Sequence, residues 1–385
     1  MISYGKQTID EDDVKIVSTA LKSKLLTGGE YVKKFEKELS IKFGSKYCIS
    51  VANGTAALHL VAKALKWSKN DIIITTPITF LATPNSVLYV GATLDFVDID
   101  SQTNNIDVDK LEYKILDLIK KNKKISAVIA VDYAGHPCEW KKLSKLSKQY
   151  KFKLINDNCH ALGASYLNNS KYASKYADIV TQSFHPTKNI TTGEGGAILT
   201  NSTNIFRKIS ILRNHGMITN AKIKKKLGHW IYQMNELGYN YRLSDIHSAL
   251  GINQLRKLDK FIKKRNLIAS IYDQAFKNHN NFQIPIKLDN IQHAYHLYPL
   301  KINFKSLKVK KLFFNYMLKN SINLQVHYIP IFLQPYYKKK FNFNKNEFPE
   351  AITFYKKEVS LPIYPSLDIK DQKFVIKKIF DFFSK

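Results

Sequence analysis

Asp178-Ile179-Val180-Thr181-Gln182-Ser183-Phe184-His185-Pro186-Thr187-Lys188-Asn189-Ile190-Thr191-Thr192-Gly193-Glu194-Gly195-Gly196-Ala197-Ile198-Leu199-Thr200 contains a short β-rich run, one lysine a few residues beyond it, a glycine-rich turn and a return strand. A lysine placed just past a strand end can sit at a crevice. There desolvation lowers its pKa and lets it form a Schiff base. In a lysine-rich chain most lysines are solvated surface charges, so the placement of Lys188 is what singles it out.

The pattern repeats on both sides of this stretch. Strands are expected at Tyr47–Val51, Ile72–Thr75, Thr93–Val97, Ser126–Val131, Phe152–Ile155, Asp178–Ser183 and Gly196–Thr200. Between and after them, helical periodicity is expected at Gly54–Leu65, Pro84–Val90, Val108–Lys121, Trp140–Tyr150, Asn204–Asn214, Leu243–Gln254 and Asp259–Asn278. Strands alternating with helices imply βαβ units and a mostly parallel sheet. The continuous apolar character of several strands suits burial on both faces. After about residue 280 the character changes to shorter pieces. Strands are expected at Tyr298–Asn303 and Asn323–Tyr328, and helices at Ser306–Asn320, Pro349–Val359 and Ile369–Phe383. The reading is an α/β fold with a large domain over residues 1–280 and a smaller C-terminal α+β domain over 281–385.

The net charge of +29 raises the question of nucleic acid. The excess is lysine, since only Arg207, Arg213, Arg242, Arg256 and Arg265 are arginines. Nucleic-acid sites favour arginine for bidentate and stacked contacts. The lysines also interleave with apolar residues, as on solvated helix faces. The sequence is therefore read as having no nucleic-acid partner, although a basic surface suits a substrate carrying a diphosphate. Cys48, Cys138 and Cys159 are widely spaced and form neither a disulfide framework nor a metal site. No run approaches the roughly 18–20 apolar residues of a membrane span. The start lacks the apolar core of a signal peptide, so a cytoplasmic protein without membrane association is expected.

In open α/β sheets, ligands bind beyond the carboxyl ends of the strands. Three strand ends carry chemistry. Tyr47–Val51 runs into Ala52-Asn53-Gly54-Thr55-Ala56-Ala57-Leu58, where Gly54 and Thr55 open a helix whose free N–H groups and hydroxyl suit one phosphate. A plain helix cap reads the same way. Phe152–Ile155 runs into Asn156-Asp157-Asn158-Cys159-His160, where Asp157 can hold a proton on a ring nitrogen or merely cap a turn. The third end bears Ser183 and Lys188. A phosphate cup, an acid for a pyridine nitrogen and a Schiff-base lysine are together what a pyridoxal 5′-phosphate (PLP) site needs from a protein. Phe80 follows the next strand and is placed either to stack on such a ring or to fill the core.

These residues, with Leu26-Thr27-Gly28-Gly29, Asn53-Gly54-Thr55-Ala56-Ala57-Leu58, His160-Ala161-Leu162-Gly163-Ala164, Ser183-Phe184-His185-Pro186-Thr187-Lys188, Gly238-Tyr239-Asn240-Tyr241-Arg242 and Leu361-Pro362, resemble the DegT/StrS family of PLP-dependent sugar aminotransferases over essentially the whole chain. The resemblance implies an aspartate-aminotransferase-type fold. It assigns Lys188 and Asp157 to catalysis, with Lys188 holding PLP and moving the proton and Asp157 pairing with the pyridine nitrogen. Phe80 stacks on the ring, Gly54, Thr55 and Ser183 bind the phosphate, and His160 contacts the ring or its phenolic oxygen. Asn240 matches a residue that reaches the neighbouring subunit's cofactor, which implies a homodimer. Tyr4, Lys24, Leu25, Leu26 and Thr27, and Gln325, Val326, His327 and Tyr328, match segments lining the nucleotide-sugar pocket. Many members have Glu-Asp where this chain has Asn156-Asp157, and Asn158-Cys159 replaces a usual small pair. Thr75 to Phe80, Ala134 to Cys138, Ser183 to Pro186 and Gln325 to Tyr328 are similar to one branch. That branch takes L-glutamate and a 4-keto-6-deoxy UDP-N-acetyl sugar to UDP-4-amino-4,6-dideoxy-N-acetyl-β-L-altrosamine, on the route to pseudaminic acid. The alternatives are a sister enzyme making another 4-amino or 3-amino sugar on UDP, GDP or dTDP, and a PLP-bound regulator without turnover.

Overall fold

The computed structural model describes residues 1–218 and 221–384. Its centre is a seven-stranded sheet: β1 Tyr47–Val51, β2 Ile72–Thr75, β3 Thr93–Phe96, β4 Ile125–Val131, β5 Lys153–Asp157, β6 Ile179–Ser183 and β7 Gly196–Thr200. The spatial order is β1-β7-β6-β5-β4-β2-β3. All pairings are parallel except those of β7, which runs antiparallel to both β6 and β1. The sheet is buried on both faces. Val128, Ala130, Leu154 and Val180 point into one apolar core, and Ala127, Ile129, Ile155 and Ile179 point into the other. That is the double burial expected of parallel strands.

The helices form as their caps and faces dictate. Helix α1, Glu30–Phe43, starts at Gly29, which has no capping side chain. Asp245 supplies the anion instead, accepting from the N–H groups of Gly29, Tyr31 and Val32 at 2.7, 2.9 and 3.3 Å. Helix α2, Gly54–Ala64, is capped by Asn53, whose side chain accepts from Ala56 N at 2.8 Å. Helix α3, Asp245–Phe276, is a single 32-residue element capped by Ser244. The sequence suggested two helices there. The stretch between them contains no glycine or proline, and Leu255 and Leu258 continue the buried face, so nothing ends the helix.

A three-stranded antiparallel sheet lies beyond it: β8 Phe282–Gln283, β9 Tyr298–Ile302 and β10 Glu358–Leu361, with β9 in the middle. The C-terminal half of α3 reaches this body, where Ile268, Ala269, Tyr272 and Phe276 share a core with Leu300, Phe313, Val359 and Ile379. Its N-terminal half packs into the large core through Leu258 and Ile262. The first residues of the chain pair here too, Ile2–Ser3 running parallel to Ile322–Asn323.

Three expectations are corrected. The helix expected over Pro349–Val359 ends at Lys357, and the next residues form β10, because Val359 and Leu361 alternate with polar residues at a two-residue period. The strand expected over Asn323–Tyr328 is only the pair Ile322–Asn323, and residues 324–328 form a loop that reaches the cavity through His327 and Tyr328. Helices at Glu11–Leu21 and Glu30–Phe43 occupy a stretch for which no element was expected.

Arg265 ties α3 to the segments that cross it. It is 1% exposed and donates through one guanidinium nitrogen to the carbonyls of Tyr295, His296 and Ile363 at 3.0, 3.4 and 2.8 Å. Burial lowers its pKa to about 9. Replacing Arg265 with Leu strands those carbonyls in the interior, and a loss of about 3 kcal/mol or more is expected in denaturant unfolding. A loss under about 1 kcal/mol would show that water or neighbouring donors satisfy them.

Candidate active site

The carboxyl ends of five strands converge on one cavity of about 380 Å³. Its lining comes from β1 through Gly54 and Thr55, from β2 through Thr79 and Phe80, and from β4 through Val131. Strand β5 adds Asp157, Cys159 and His160, and β6 adds Ser183 and Lys188. This is the crevice that an open α/β sheet offers.

The phosphate end is built by close approach. A Cβ on Gly54 would lie 2.8 Å from the Ser183 Cβ, so the start of α2 and the end of β6 meet only because residue 54 is glycine. One strand over, a Cβ on Gly196 would lie 2.5 Å from the Asn53 carbonyl oxygen, which fixes β7 against the same turn. The N–H groups of Gly54 and Thr55 stand in the first turn of α2, where no intrahelical acceptor exists. With the Thr55 and Ser183 hydroxyls, they form a donor set suited to a phosphate dianion.

Across the cavity, Asp157 ends β5. Its Oδ2 accepts from Thr83 Oγ1 at 2.6 Å and its Oδ1 from Cys159 N at 3.3 Å. Lys188 comes after the turn at His185, closed by its N–H on the His185 carbonyl at 2.8 Å. Burial lowers the pKa of its ammonium, and the neighbouring Cys159 and Asp157 oppose that only in part. His160 is buried, and its Nδ1 accepts from Ala134 N at 3.3 Å. The proton therefore sits on Nε2, which faces the Tyr328 hydroxyl at 3.1 Å. Burial, and then the Lys188 charge, push the His160 pKa well below the usual range and keep the ring neutral. Phe80 is 55% exposed at the cavity mouth, its ring tilted 51° to that of Tyr328 with centroids 6.0 Å apart.

These groups match the needs of PLP one for one: donors for the phosphate, an acid for the pyridine nitrogen, a desolvated lysine for the aldehyde and an aromatic plate for the ring. The cavity also lies within the size range of small-molecule sites. The sequence pattern of the DegT/DnrJ/EryC1/StrS aminotransferase family matches residues 7–380. The chain belongs to this family. It is 42% identical, over all of its own length and 98% of the relative's, to a UDP-4-amino-4,6-dideoxy-N-acetyl-β-L-altrosamine transaminase of Campylobacter jejuni. The structure of Helicobacter pylori PseC, described as an aminotransferase in pseudoaminic acid biosynthesis, superposes with a TM-score of 0.90 at 33% identity, covering 100% of this chain and 99% of that one. The PLP form of Spr1654 from Streptococcus pneumoniae, described as a putative sugar aminotransferase, superposes at 0.88 with 25% identity over 98% and 97%. Family membership makes this chain a PLP-dependent nucleotide-sugar aminotransferase.

The family resemblance named further residues, and the structure places them unequally. Tyr4, His327 and Tyr328 line the cavity. Gln325 and Val326 belong to the same loop but are not among its lining residues. Lys24, Leu25, Leu26 and Thr27 lie away from it, where the Leu26 carbonyl accepts from Asp245 N and Thr27 bridges to Ser244. Asn240 is exposed and also outside the cavity, bridged to Asn214. Thr83 and His296 are among the lining residues that the sequence did not single out. Thr83 sits three positions after Phe80, one turn along, and its hydroxyl reaches Asp157. His296 stands with its ring centroid 4.3 Å from that of His160. The spacing of His293 and His296 just before β9 was the available signal.

Lys188→Ala is expected to lose the visible absorption of lysine-bound PLP and to lower turnover by ~10³-fold or more, whereas Thr83→Val should weaken PLP binding by about three- to tenfold in a fluorescence titration. Only the neutral amine attacks an aldehyde, and the Lys188 pKa is depressed. The rate of PLP capture by the apo-protein should therefore rise with pH along a limb centred below the ordinary lysine range. A limb at the position of a free lysine would show that Lys188 is solvated.

Proposed function

We propose that the chain transfers the amino group of L-glutamate to the keto carbon of a 4-keto-6-deoxy UDP-N-acetyl sugar. The product is UDP-4-amino-4,6-dideoxy-N-acetyl-β-L-altrosamine, for pseudaminic acid synthesis. The observation that carries the transaminase chemistry is the placement of Lys188 and Asp157 on one cavity with the donor set of Gly54, Thr55 and Ser183. Full-length identity of 42% to a transaminase of that name supports the acceptor.

Bound PLP supplies an electrophilic carbon and an electron-withdrawing ring. The protein supplies the rest. Asp157, held by Thr83 and by Cys159 N–H, keeps a proton on the ring nitrogen by offering it a fixed negative charge. Lys188 Nζ would remove the α-proton of glutamate and later deliver a proton to the sugar carbon that gains nitrogen. Its depressed pKa leaves more of the base form near neutrality than a surface lysine has. His160 stays neutral and holds the Tyr328 hydroxyl oriented toward the cavity. With the amino group retained at the cofactor site, glutamate would leave as 2-oxoglutarate before the sugar enters, so one cavity would serve both substrates.

A homodimer is part of this reading. Asn240, Lys24 and Thr27 are exposed and lie outside their own cavity, as residues serving a neighbouring copy would. The segment before Asn240 exposes Trp230, Tyr232, Met234 and Leu237 at 78, 67, 63 and 73%. Apolar exposure of that size marks a surface for association.

An absorption titration tests the assignment. UDP-4-amino-4,6-dideoxy-N-acetyl-β-L-altrosamine added to the PLP enzyme should abolish the visible band and release the 4-keto sugar, and 2-oxoglutarate should restore it. A response confined to another amino sugar, on GDP or dTDP for example, would replace the acceptor and keep the chemistry. A PLP band that no amino sugar and no glutamate alters would favour a regulator without turnover.

A further inference from the structure

The loop after Ile322–Asn323 carries His327 and Tyr328 into the cavity, and a buried acid holds it there. Glu358, at the start of β10, has no solvent exposure. Its Oε2 accepts from His327 N at 3.0 Å and its Oε1 from Ser360 Oγ at 2.5 Å. The same Ser360 Oγ lies 2.8 Å from His327 Nδ1, and Ser360 N donates to the Gln325 carbonyl at 2.9 Å. Lys310 Nζ donates to the carbonyls of Tyr355 and Glu358 at 2.6 and 2.7 Å, which brings a positive charge to the acid. Tyr133 OH donates to the His327 carbonyl and holds the loop from the large domain.

This arrangement dictates where the imidazole proton sits. An ionised carboxylate only accepts, and a hydroxyl has one hydrogen. The Ser360 hydrogen is committed to Glu358, so the contact between Oγ and Nδ1 requires that Nδ1 carry a hydrogen and donate it. His327 is neutral, since burial and then Lys188 hold its pKa at about 3. A neutral ring with hydrogen on Nδ1 has a bare lone pair on Nε2. Among the described residues nothing donates to that nitrogen, and the ring lines the cavity beside Tyr4, with ring centroids 5.0 Å apart. Among the described residues no arginine lines the cavity either, so its recognition of a ligand rests on groups of this kind.

We propose that Glu358 and Ser360 are positioning residues that fix the Nδ1–H tautomer of His327, so that Nε2 accepts a hydrogen bond from a hydroxyl group of the sugar substrate. The ligand half of this statement rests on the nucleotide-sugar reading above, and the tautomer half does not. The carbonyl of the acceptor and the diphosphate are both acceptors of hydrogen bonds. Nε2 presented as a lone pair therefore selects for a sugar hydroxyl and against either of those groups in that place.

The test uses the PLP-loaded enzyme labelled with ¹⁵N-histidine, held at about pH 7.5, between the value of about 7 to which burial raises Glu358 and that of about 8 to which it lowers Lys310. His327 is assigned by the signal missing from His327→Gln. In the wild type, Nδ1 should show the shift of a protonated ring nitrogen and Nε2 that of a bare one. In Glu358→Gln, the amide serves both neighbours only with its oxygen on His327 N–H and its NH₂ on Ser360 Oγ. The hydroxyl hydrogen then turns to Nδ1, and the ring proton moves to Nε2. The two shifts should exchange, and KM for the nucleotide sugar should rise about five- to tenfold with a much smaller change in kcat. Ser360→Thr keeps the hydroxyl and should keep the wild-type shifts and KM, while Ser360→Ala should lose both. If Glu358→Gln does not fold, the Ser360 pair carries the same comparison.

A protonated Nε2 in the wild type, or shifts that ignore these substitutions, would overturn the positioning role. Shifts that exchange without a change in KM would overturn the hydroxyl contact. An enzyme that turns over no nucleotide sugar would sink the functional reading, and the tautomer result would stand apart from it.

Discussion

Asp132 is the buried carboxylate on which the geometry of the site depends. Its Oδ1 accepts from Cys138 N and Trp140 Nε1, each at 2.8 Å. Its Oδ2 accepts from Asn156 Nδ2, Asn158 Nδ2 and Tyr172 OH at 3.1, 2.8 and 2.7 Å. Burial raises the pKa of this carboxyl, and the donors gathered around it oppose that in part. Along a strand, alternate side chains take opposite faces. With Asn156 and Asn158 both drawn to Asp132 on one side, Asp157 between them must project to the other, where the cavity lies. The two asparagines are thus the residues that aim Asp157 at the cavity. An acid at 156 would set a second carboxylate against Asp132 in place of a donor.

How much of this was legible in the sequence depended on the range of the interaction. The strands ending at Val51, Thr75, Asp157, Ser183 and Thr200 were readable because double burial makes them continuous apolar runs. Asp157 and Lys188 were readable because each comes soon after such a run. Thr83, His296, Glu358 and Ser360 were not, since each acts through a partner far away in sequence: Thr83 on Asp157, Ser360 on His327. Nothing local marks a threonine or a serine as half of such a pair. The loop at Gln325 to Tyr328 looked like a strand for the same reason. Its alternation of apolar and polar residues is real, but its strand pairing is confined to the bridge from Gln325 to Ser360, and His327 and Tyr328 both turn to the cavity.

The charge balance shows a related division. The surface holds most of the lysines, and the ion pairs they form there are exposed ones such as Lys42–Asp259 and Lys377–Asp381, which contribute little to stability. The buried lysines behave differently. Lys301 donates to the Ser101 carbonyl at 2.7 Å and Lys310 to two carbonyls of its own body, and burial lowers each to about 8. Each joins pieces of chain that have no strand pairing between them. A strongly basic composition thus coexists with an interior in which, among the described residues, Lys301 and Lys310 are the buried lysines.

The cavity takes that economy furthest. Among the described residues, Lys188 is the one lysine or arginine that lines it, and its charge in turn depresses the pKa of His160, His296 and His327 beyond what burial does. Three imidazoles near one ammonium cannot all be protonated at moderate cost, so they serve as oriented neutral dipoles. Orientation then has to come from the groups behind them: Ala134 N–H for His160, and the Ser360 hydroxyl for His327. A transaminase must admit an anionic amino acid and an anionic nucleotide sugar in turn at the same carbon. A lining of fixed positive charges would hold both tightly and release neither product readily. Neutral imidazoles with set tautomers discriminate by the direction of a hydrogen bond instead.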